Sequence, residues 1–185
     1  RGEIYPDPLR AALICQKSGA DSITIHLRED RRHIRDSDLK KMKLKLKIPL
    51  NLEMAPTNEM VKIAKKIRPK FVCIVPEKRS ELTTEGGLNL KKKNKLKKIS
   101  STLKREKIRV SLFIEPKILD VKISKTLGAD CVELHTGKYC NLYNNNKKTH
   151  YSFTNIKKAA KYANMINLEV HAGHGLTYKT TYNLS

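Results

Sequence analysis

Short apolar segments alternate with longer stretches of helical periodicity along this chain. Apolar residues at every second position predict six strands, which span residues 22–27, 50–54, 71–75, 109–114, 131–134 and 168–171. Helical sequence opens the chain and lies between most of the strands. This alternation indicates an α/β protein built around a parallel sheet.

The segments between the strands are mostly helical, with two exceptions. We predict helices over residues 9–17, 36–46, 58–67 and 154–164, a lysine-rich helix that ends near residue 107, and a short helix before Gly128. Residues 76–87 lack periodicity, and a long structureless loop in a compact domain is usually functional. Residues 139–151 are polar and asparagine-rich, and we predict a mobile loop there.

One face of the predicted strands is apolar and the other is polar. The polar face carries Thr24, His26, Arg28, Asn51, Glu53, Ser111, Glu115, Glu133, His135, Glu169 and His171. A doubly wound open sheet has helices on both faces and should be apolar on both. A closed barrel packs one face against its helices and gathers the other into one site at the strand ends. The pattern therefore favours a barrel, although six strands in 185 residues fall short of the usual eight in about 250.

The formal charge of +21, from 39 basic and 18 acidic residues, by itself suggests a nucleic acid or another anionic partner. The lysines cluster at residues 40–47 and 91–98, mostly at positions that a helix would turn toward solvent. Aromatic residues make up only 5% and tryptophan is absent, whereas a single-strand binder needs stacking rings. We therefore interpret the lysines as solvated helix faces and expect no nucleic-acid partner. A basic nucleic-acid-binding module is the alternative.

Composition also bears on the cell compartment and the number of domains. No run approaches the roughly 18 apolar residues that span a bilayer, so we expect no membrane contact. The four cysteines form no C-x-x-C pair, and we interpret them as reduced thiols of a cytoplasmic protein. With 39% hydrophobic residues, the chain can bury the core of one domain.

Four groups of ionisable residues lie at or just beyond the carboxyl ends of the predicted strands. They are His26 with Arg28, Glu53, Glu133 with His135, and His174. Histidine titrates near neutral pH and burial can raise the pKa of a glutamate toward that range, so the set suits general acid–base catalysis. A metal site built from the three histidines and Glu53 is the rival interpretation. No H-E-x-x-H or C-x-x-C spacing supports it.

Basic and glycine-rich segments near the same strand ends suggest an anionic substrate. Forked hydrogen bonds to a phosphate are available from Arg28, Arg31, Arg32 and His33. The loop at residues 83–87 adds hydroxyls and backbone amides, and the G-H-G run at 173–175 offers amides to a second anion. The 83–87 loop lacks the lysine and spacing of a P-loop, so nucleotide binding is not supported.

Several of these segments also match one known family. They are YPDP at 5–8, GAD at 19–21, HLREDRRHI at 26–34, NLEMA at 51–55, VPEKR at 75–79, TTEGG at 83–87, ELHTG at 133–137 and AGHGLTY at 172–178. The chain resembles the pyridoxine 5'-phosphate synthase family of vitamin B6 biosynthesis. The resemblance covers nearly the whole chain. It implies a TIM (β/α)8 barrel, assembly of identical chains into an octamer, and no metal or organic cofactor.

The resemblance further implies a transferase-type, ring-forming condensation. Two small phosphorylated substrates, 1-deoxy-D-xylulose 5-phosphate and 3-amino-2-oxopropyl phosphate, would give pyridoxine 5'-phosphate, phosphate and water. The implied catalytic residues are the proton acceptors His26 and Glu53, the proton donor His174, and Glu133 as the group that stabilises a transition state. The implied substrate contacts are Arg28, His33 and Thr83 for the deoxyxylulose phosphate, and Arg1 and Gly175 for the amino ketone phosphate.

Two departures from the family concern the ends of the chain. The family begins with a strand carrying an Asn-x-Asp-His motif and ends with a strand carrying Gly-His, and neither occurs here. We expect the six strands to be strands two to seven only, with one contiguous gap that exposes two strand edges. Residues 1–185 would then be a single, incomplete TIM-barrel domain, poorly folded and inactive by itself. A noncatalytic fragment on an α/β scaffold is a further alternative.

Overall fold

The computed structural model describes residues 6–77 and 86–184, which contain six strands and eight helices. The strands are β1 (Ile23–His26), β2 (Leu50–Met54), β3 (Phe71–Ile74), β4 (Arg109–Ile114), β5 (Cys131–His135) and β6 (Glu169–Gly173). The helices are α1 (Pro8–Lys17), α2 (Asp36–Lys45), α3 (Asn58–Ile67), α4 (Lys93–Arg105), α5 (Ile118–Thr126), α6 (Gly137–Asn144), α7 (His150–Met165) and α8 (Tyr178–Tyr182).

The six strands form one parallel sheet, and their order in the sheet is their order in the chain. Each crossover therefore places the next strand beside the previous one and always advances in the same direction. A doubly wound sheet would instead reverse direction at a switch point. The described strands make a parallel half-barrel consistent with the TIM type, which confirms the predicted α/β class and favours the barrel over the open sheet.

The core lies between the apolar face of the sheet and the helices that cover it. Leu52 of β2 and Leu112 of β4 are fully buried, and they belong to the same cluster as Met60 of α3 and Leu103 of α4. Local sequence sets where these helices begin. Thr57, for example, caps α3 by accepting a hydrogen bond from the Met60 N–H at 3.3 Å.

The lysine-rich helices turn their charges outward, as predicted. Every lysine of α2 and of α4 is exposed, while Leu39 and Met42 of α2 and Leu96 of α4 are buried. The alternation of lysine with leucine thus reflects helix amphipathicity. No helix within the described residues is both long and apolar enough to cross a membrane.

The prediction of a loop over residues 139–151 is wrong. Helix α6 covers 137–144, and α7 begins at His150, four residues before the predicted start. Tyr139 and Cys140 are buried, and the Tyr139 ring lies 6.1 Å from the ring of Tyr143 and 5.9 Å from that of Phe153. Aromatic residues four apart share one helix face, and their packing outweighs the low helix propensity of the asparagines.

Other differences are smaller. The last strand runs over 169–173, two residues beyond its predicted end, and the short helix α8 follows it without having been predicted. Of the predicted functional loop at 76–87, residues 78–85 lie outside the described residues. The chain that follows these residues contacts the sheet at β4, where the Leu88 N–H donates a hydrogen bond to the carbonyl of Phe113 at 2.8 Å.

Candidate active site

Ionisable side chains converge where β1, β2 and β3 end. We call His26, Arg28, Glu53 and Glu77 the β1–β3 cluster. His26 is the last residue of β1 and pairs in register with Glu53 of β2, while Glu77 lies three residues beyond β3. The imidazole lies between two carboxylates, with Nδ1 3.8 Å from Glu53 Oε2 and Nε2 3.5 Å from Glu77 Oε2.

Glu77 also ties the chain after β1 to the chain after β3. Its Oε1 accepts a hydrogen bond from the Glu29 N–H at 2.7 Å and lies 4.0 Å from Nε of Arg28. Arg28 is a buried cation, and its Nε is also 3.6 Å from Asp30 Oδ1. A guanidinium so placed keeps a positive charge at the strand end, where an anionic group of a substrate can meet it.

The neighbouring arginines are engaged by carboxylates of the same region. Arg31 donates from Nε to Asp36 at 2.9 Å and also pairs with Glu59, and Arg32 pairs with Asp30 at 2.7 Å. These ion pairs anchor the loop that follows β1. Arg31 and Arg32 therefore contact protein groups, in contrast to the phosphate contacts that the sequence suggested.

Burial sets the protonation of the β1–β3 cluster. It lowers the pKa of His26 to about 4, with further lowering by the positive charges of Arg28 and His33 and a smaller opposing effect of Asp30. Burial raises the pKa of Glu53 to about 7, and the negative charge of Glu133 adds to the rise. At neutral pH, His26 is a neutral imidazole with a free lone pair and Glu53 exchanges its proton readily.

A second group of side chains lies at the ends of β4, β5 and β6. We call Glu115, Glu133, His135 and His174 the β4–β6 cluster. Burial raises the pKa of Glu133. Its Oε2 accepts a hydrogen bond from the thiol of Cys73 at 3.6 Å, and its Oε1 lies against Gly173, where a Cβ would overlap it. A thiol on one side and a glycine on the other fix this carboxyl group.

Glu115 links the loop before α4 to the histidines. Its Oε1 accepts the Gly87 N–H at 2.8 Å and lies 3.2 Å from Nδ1 of His135, which holds the pKa of Glu115 below its usual range. The His135 ring is 5.0 Å from the ring of His174, centroid to centroid. Two imidazoles and one carboxylate thus form a contiguous chain of titratable groups.

His174 has an unusual backbone, held in place by Thr136. Its φ is +80° and that of Gly175 is +76°, so two successive residues lie in the left-handed region, which is uncommon for a residue with a side chain. The buried Thr136 hydroxyl lies 2.6 and 2.7 Å from the carbonyl oxygens of Gly173 and His174, and its single proton can be donated to either. Burial, and secondly the charge of His135, lower the pKa of His174.

The two clusters border a shared interior. A cavity of about 560 Å³ on the inner face of the half-barrel is lined by Glu53 of the first cluster and Glu133 of the second. A cavity of about 450 Å³ opens beside His135 and His174, with Gly86, Lys138 and Asn141 in its wall. The arrangement provides proton acceptors, a titratable histidine and buried carboxyl groups around spaces large enough for a small metabolite.

The structure brings together most of the predicted site residues that it describes. His26, Arg28 and Glu53 lie in one cluster, Glu133 and His174 in the other, and Gly175 directly follows His174. His33 is exposed on the loop after β1, and its charge contributes to the lowered pKa of His26. Arg1 and Thr83 lie outside the described residues.

Three residues with clear contacts were given no role by the sequence. They are Glu77, Cys73 and Thr136. Glu77 and Thr136 each follow the end of a strand, where parallel α/β proteins place functional groups, and that position is the signal that would have found them. Cys73 gives no comparable signal, because a cysteine within an apolar segment is ordinarily interpreted as a small hydrophobic core residue.

The rival metal site receives no support from the geometry. Among the described residues, one group has its ligand atoms within 4.8 Å of one another: Cys131, Glu169 and His171. It contains none of the four residues proposed from the sequence. Its carboxylate is also already paired with Arg109, and burial raises the pKa of its thiol, so both groups are poorly prepared to bind a cation.

Comparison with known proteins decides the family. The family described as "Pyridoxal phosphate biosynthesis protein PdxJ" matches residues 1–185. The chain belongs to this family. Among the PdxJ relatives, the pyridoxine 5'-phosphate synthase of Pelagibacter ubique is 54% identical over 100% of this chain and 78% of its own length. The synthase of Zymomonas mobilis is 52% identical over 97% of this chain and 70% of its own length. The synthase of Coxiella burnetii is 45% identical over 100% of this chain and 77% of its own length. The family resemblance stated from the motifs is confirmed.

Solved structures show the same fold at low sequence identity. Phosphoribosyl anthranilate isomerase from Thermus thermophilus superimposes with a TM-score of 0.62 at 12% identity, over 95% of this chain and 76% of its own. D-psicose 3-epimerase from Clostridium cellulolyticum gives a TM-score of 0.54 at 12% identity, over 91% and 68%. At this identity the likeness concerns the fold alone.

Proposed function

We propose that this PdxJ chain acts as a pyridoxine 5'-phosphate synthase, the activity by which its relatives are named. The reaction condenses 1-deoxy-D-xylulose 5-phosphate with 3-amino-2-oxopropyl phosphate to form pyridoxine 5'-phosphate, phosphate and water. Imine formation, phosphate loss, ring closure and dehydration each need proton transfers. The observation that carries the proposal is the pair of clusters around one interior, one with a neutral histidine and the other with a carboxyl group held beside His174.

Each catalytic role is supported by the environment of its residue. His26 and Glu53 act as proton acceptors, since the first is neutral and the second has a pKa of about 7. His174 acts as proton donor, because its lowered pKa makes the imidazolium a stronger acid. Glu133 stabilises a transition state, since its buried carboxyl group is already oriented before substrate arrives.

The substrate contacts follow the placement of the basic residues. Arg28, His33 and Thr83 would hold the deoxyxylulose phosphate, and Arg1 and Gly175 the amino ketone phosphate. The buried guanidinium of Arg28 supports the first assignment, because a desolvated cation binds an anion more strongly than an exposed one. The net charge of +21 also favours the approach of two phosphorylated substrates.

The finer statements about architecture and assembly are part of the same proposal. The six strands would be the second to seventh of an eight-stranded barrel in one domain, which fits relatives that are longer than this chain. The enzyme would be a cytoplasmic transferase, an octamer of identical chains, without a metal, organic cofactor or nucleic-acid partner. A melting curve of residues 1–185 alone tests the barrel assignment. A cooperative transition together with turnover would contradict it.

The activity has a direct test. The full-length protein, which carries all eight strands of the proposed barrel and is called the full chain below, should release pyridoxine 5'-phosphate and inorganic phosphate when it is incubated with both phosphorylated substrates, and each product is quantified separately. Glu53→Gln should lower kcat by about 100-fold or more, the usual contribution of a general base. Glu106→Gln makes the same chemical change at the C-terminal cap of α4 and should leave kcat unchanged. Well-folded protein that forms no product would refute the proposed function.

A further inference from the structure

Glu77 is a buried carboxylate to which the proposed reaction gives no role. Its side chain is 1% exposed, although it lies in the chain beyond β3 and carries a charge that burial penalises. A carboxylate in such a place needs partners, and its partners identify what it does.

The two oxygens of Glu77 face different groups. Oε1 accepts the Glu29 N–H at 2.7 Å, a bond between residues 48 positions apart in the chain. Oε2 faces Nε2 of His26 at 3.5 Å. Within the described residues, both Oε2 and Nε2 are buried without a hydrogen-bond partner. A shift of a few tenths of an ångström would join them, and since an imidazole N–H donates while a carboxylate accepts, Nε2 would carry the proton.

We propose that Glu77 is a positioning residue that fixes the tautomer of His26, holding the proton on Nε2 and leaving the lone pair of Nδ1 free on the side of Glu53. The proposal rests on the proposed function, in which His26 accepts a proton. It adds which nitrogen accepts that proton, and which residue makes it so.

The remaining charges around His26 are compatible with this orientation. The loop after β1 contributes Arg28, Asp30 and His33, β2 contributes Glu53, and the chain after β3 contributes Glu77. Of these, the two carboxylates of Glu53 and Glu77 lie opposite the two ring nitrogens. Burial keeps the pKa of His26 near 4, so the resting ring is neutral and must choose one nitrogen for its proton.

The consequence for the reaction is a defined proton route. Nδ1 takes a proton from the substrate, the electron pair of the broken bond stays on the substrate, and the imidazolium is stabilised through Nε2–H by the Glu77 carboxylate. The proton then leaves from Nδ1 to Glu53, whose Oε2 is 3.8 Å away, and the ring returns to its starting tautomer. Without Glu77, the ring could place its proton on Nδ1 and lose the accepting lone pair.

The replacement Glu77→Gln reverses the hydrogen bond without changing the shape of the side chain. The Glu29 N–H requires an acceptor, so the amide oxygen must take the Oε1 position and the NH2 group must take the Oε2 position. The NH2 group donates to Nε2 of His26, which then cannot carry a proton. The variant should therefore hold the tautomer protonated at Nδ1.

Solid-state ¹⁵N NMR of the histidine-labelled full chain near pH 7 measures the tautomer, with His26 assigned by its absence in His26→Gln. We expect a protonated Nε2 and an unprotonated Nδ1 in the unmodified protein, and the reverse in Glu77→Gln. We also expect kcat to fall by about 100-fold in Glu77→Gln while KM changes little, since the phosphate contacts remain. Glu106→Gln should show neither change.

An unmodified protein with its proton on Nδ1 would overturn the proposal, whether or not the variant folds. A folded Glu77→Gln that keeps the tautomer on Nε2, or that loses affinity for substrate without losing kcat, would overturn it as well. The spectrum of the unmodified protein is independent of turnover. If only the synthase assay fails, the proposed function is refuted. If only the tautomer differs from the expected one, the inference about Glu77 is refuted.

Discussion

His26 and His174 lie on opposite sides of the described sheet, one as the last residue of β1 and the other directly after β6, and they are held in different ways. Burial lowers the pKa of both rings. The backbone at His26 has regular β-strand conformation, and charged side chains surround the imidazole ring. At His174 the backbone itself is unusual, with φ of +80° and a buried threonine hydroxyl within hydrogen-bond distance of two carbonyls.

The difference separates two ways of holding an imidazole at the end of a strand. Burial is the first influence at the β1–β3 cluster, and charge is the second, because Arg28 and His33 lower the pKa of His26 further. At the β4–β6 cluster the backbone also contributes, because His174 has a positive φ with the Thr136 hydroxyl at its carbonyl, and Gly173 leaves room for the Glu133 carboxyl group. Changes of charge should therefore disturb the first cluster, and added or deleted atoms the second.

Among the variants that test this comparison, the largest loss of catalysis is expected for Gly173→Ala. The added Cβ would overlap Glu133 Oε1, so the carboxyl group must move, and misplacement by about 1 Å can lower catalysis by about 100-fold. Steady-state kinetics measure the loss. The double variant with Glu133→Asp is the control, since a shorter side chain leaves room for the Cβ. If Gly173→Ala lowers kcat by the same factor in both backgrounds, the contact with Glu133 is not its cause.

The largest effect on stability is expected for Glu53→Gln. The folded pKa of about 7 lies above the ordinary value of 4.5, so the folded state prefers the protonated acid. The associated stability is present below pH 4.5 and is lost as pH rises to 7. Glutamine does not titrate and avoids this loss, so the variant should gain up to about 3 kcal/mol over the original above pH 7.

Denaturant unfolding at a series of pH values checks this difference. Glu106→Gln serves as the control of opposite sign, because ion pairs with Lys65 and Arg68 lower the pKa of Glu106. That variant should fall below the original protein in stability as pH rises toward 4.5, and the difference should stay constant above pH 4.5. Parallel curves for Glu53→Gln and the original protein would contradict the raised pKa of Glu53.

Thr136→Val should act through geometry. The replacement keeps the shape of the side chain and removes the hydroxyl, which leaves the His174 carbonyl without that donor and should cost about 1–2 kcal/mol. We expect kcat to fall about tenfold through the displaced imidazole. Thr102→Val removes a similar hydroxyl bond on the surface of α4 and should change neither quantity by much. Equal effects of the two variants would show that Thr136 does not position His174.

The smallest effect is expected outside both clusters, on the lysine face of α4. Replacing Lys93, Lys95, Lys97 and Lys98 with glutamine should leave turnover nearly unchanged, because exposed substitutions usually alter free energies by less than about 0.5 kcal/mol. Binding of single- and double-stranded DNA at several salt concentrations is the companion measurement. Salt-dependent binding that is lost with these lysines but survives His26→Gln would favour a nucleic-acid-binding module.

The sequence predicts the strands of the sheet well, and also which residues of each strand face the interior, because the alternation of apolar and polar residues is a local signal. Glu53 and Glu133 could be assigned to the inner face in this way. The contact of Glu29 with Glu77 could not be predicted, since it depends on how β1 and β3 align across β2. Helix α6 was missed because its buried aromatic residues lie among asparagines, whose propensity points to a loop.

The left-handed backbone at His174 was also beyond the reach of local rules. Two flanking glycines indicate a turn, but they do not show that the histidine itself takes a positive φ. In that conformation the His174 carbonyl accepts a hydrogen bond from Thr136, which lies 38 residues earlier in the chain. Strain at a functional residue is maintained by tertiary contacts, and such contacts leave no pattern in the neighbouring sequence.

The thiol of Cys73 lies at the middle of the sheet, between Glu53 and Glu133, and is fully buried. Burial raises its pKa well above the ordinary value, with the charges of Glu133 and then Glu53 adding to the effect, so almost none of it is thiolate. An electrophile can reach it only when the sheet opens, whereas Cys15 on α1 is exposed. The rate at which Cys73 is alkylated therefore measures how often the interior opens to solvent. The alkylation rate of Cys15, which is always exposed, provides the reference.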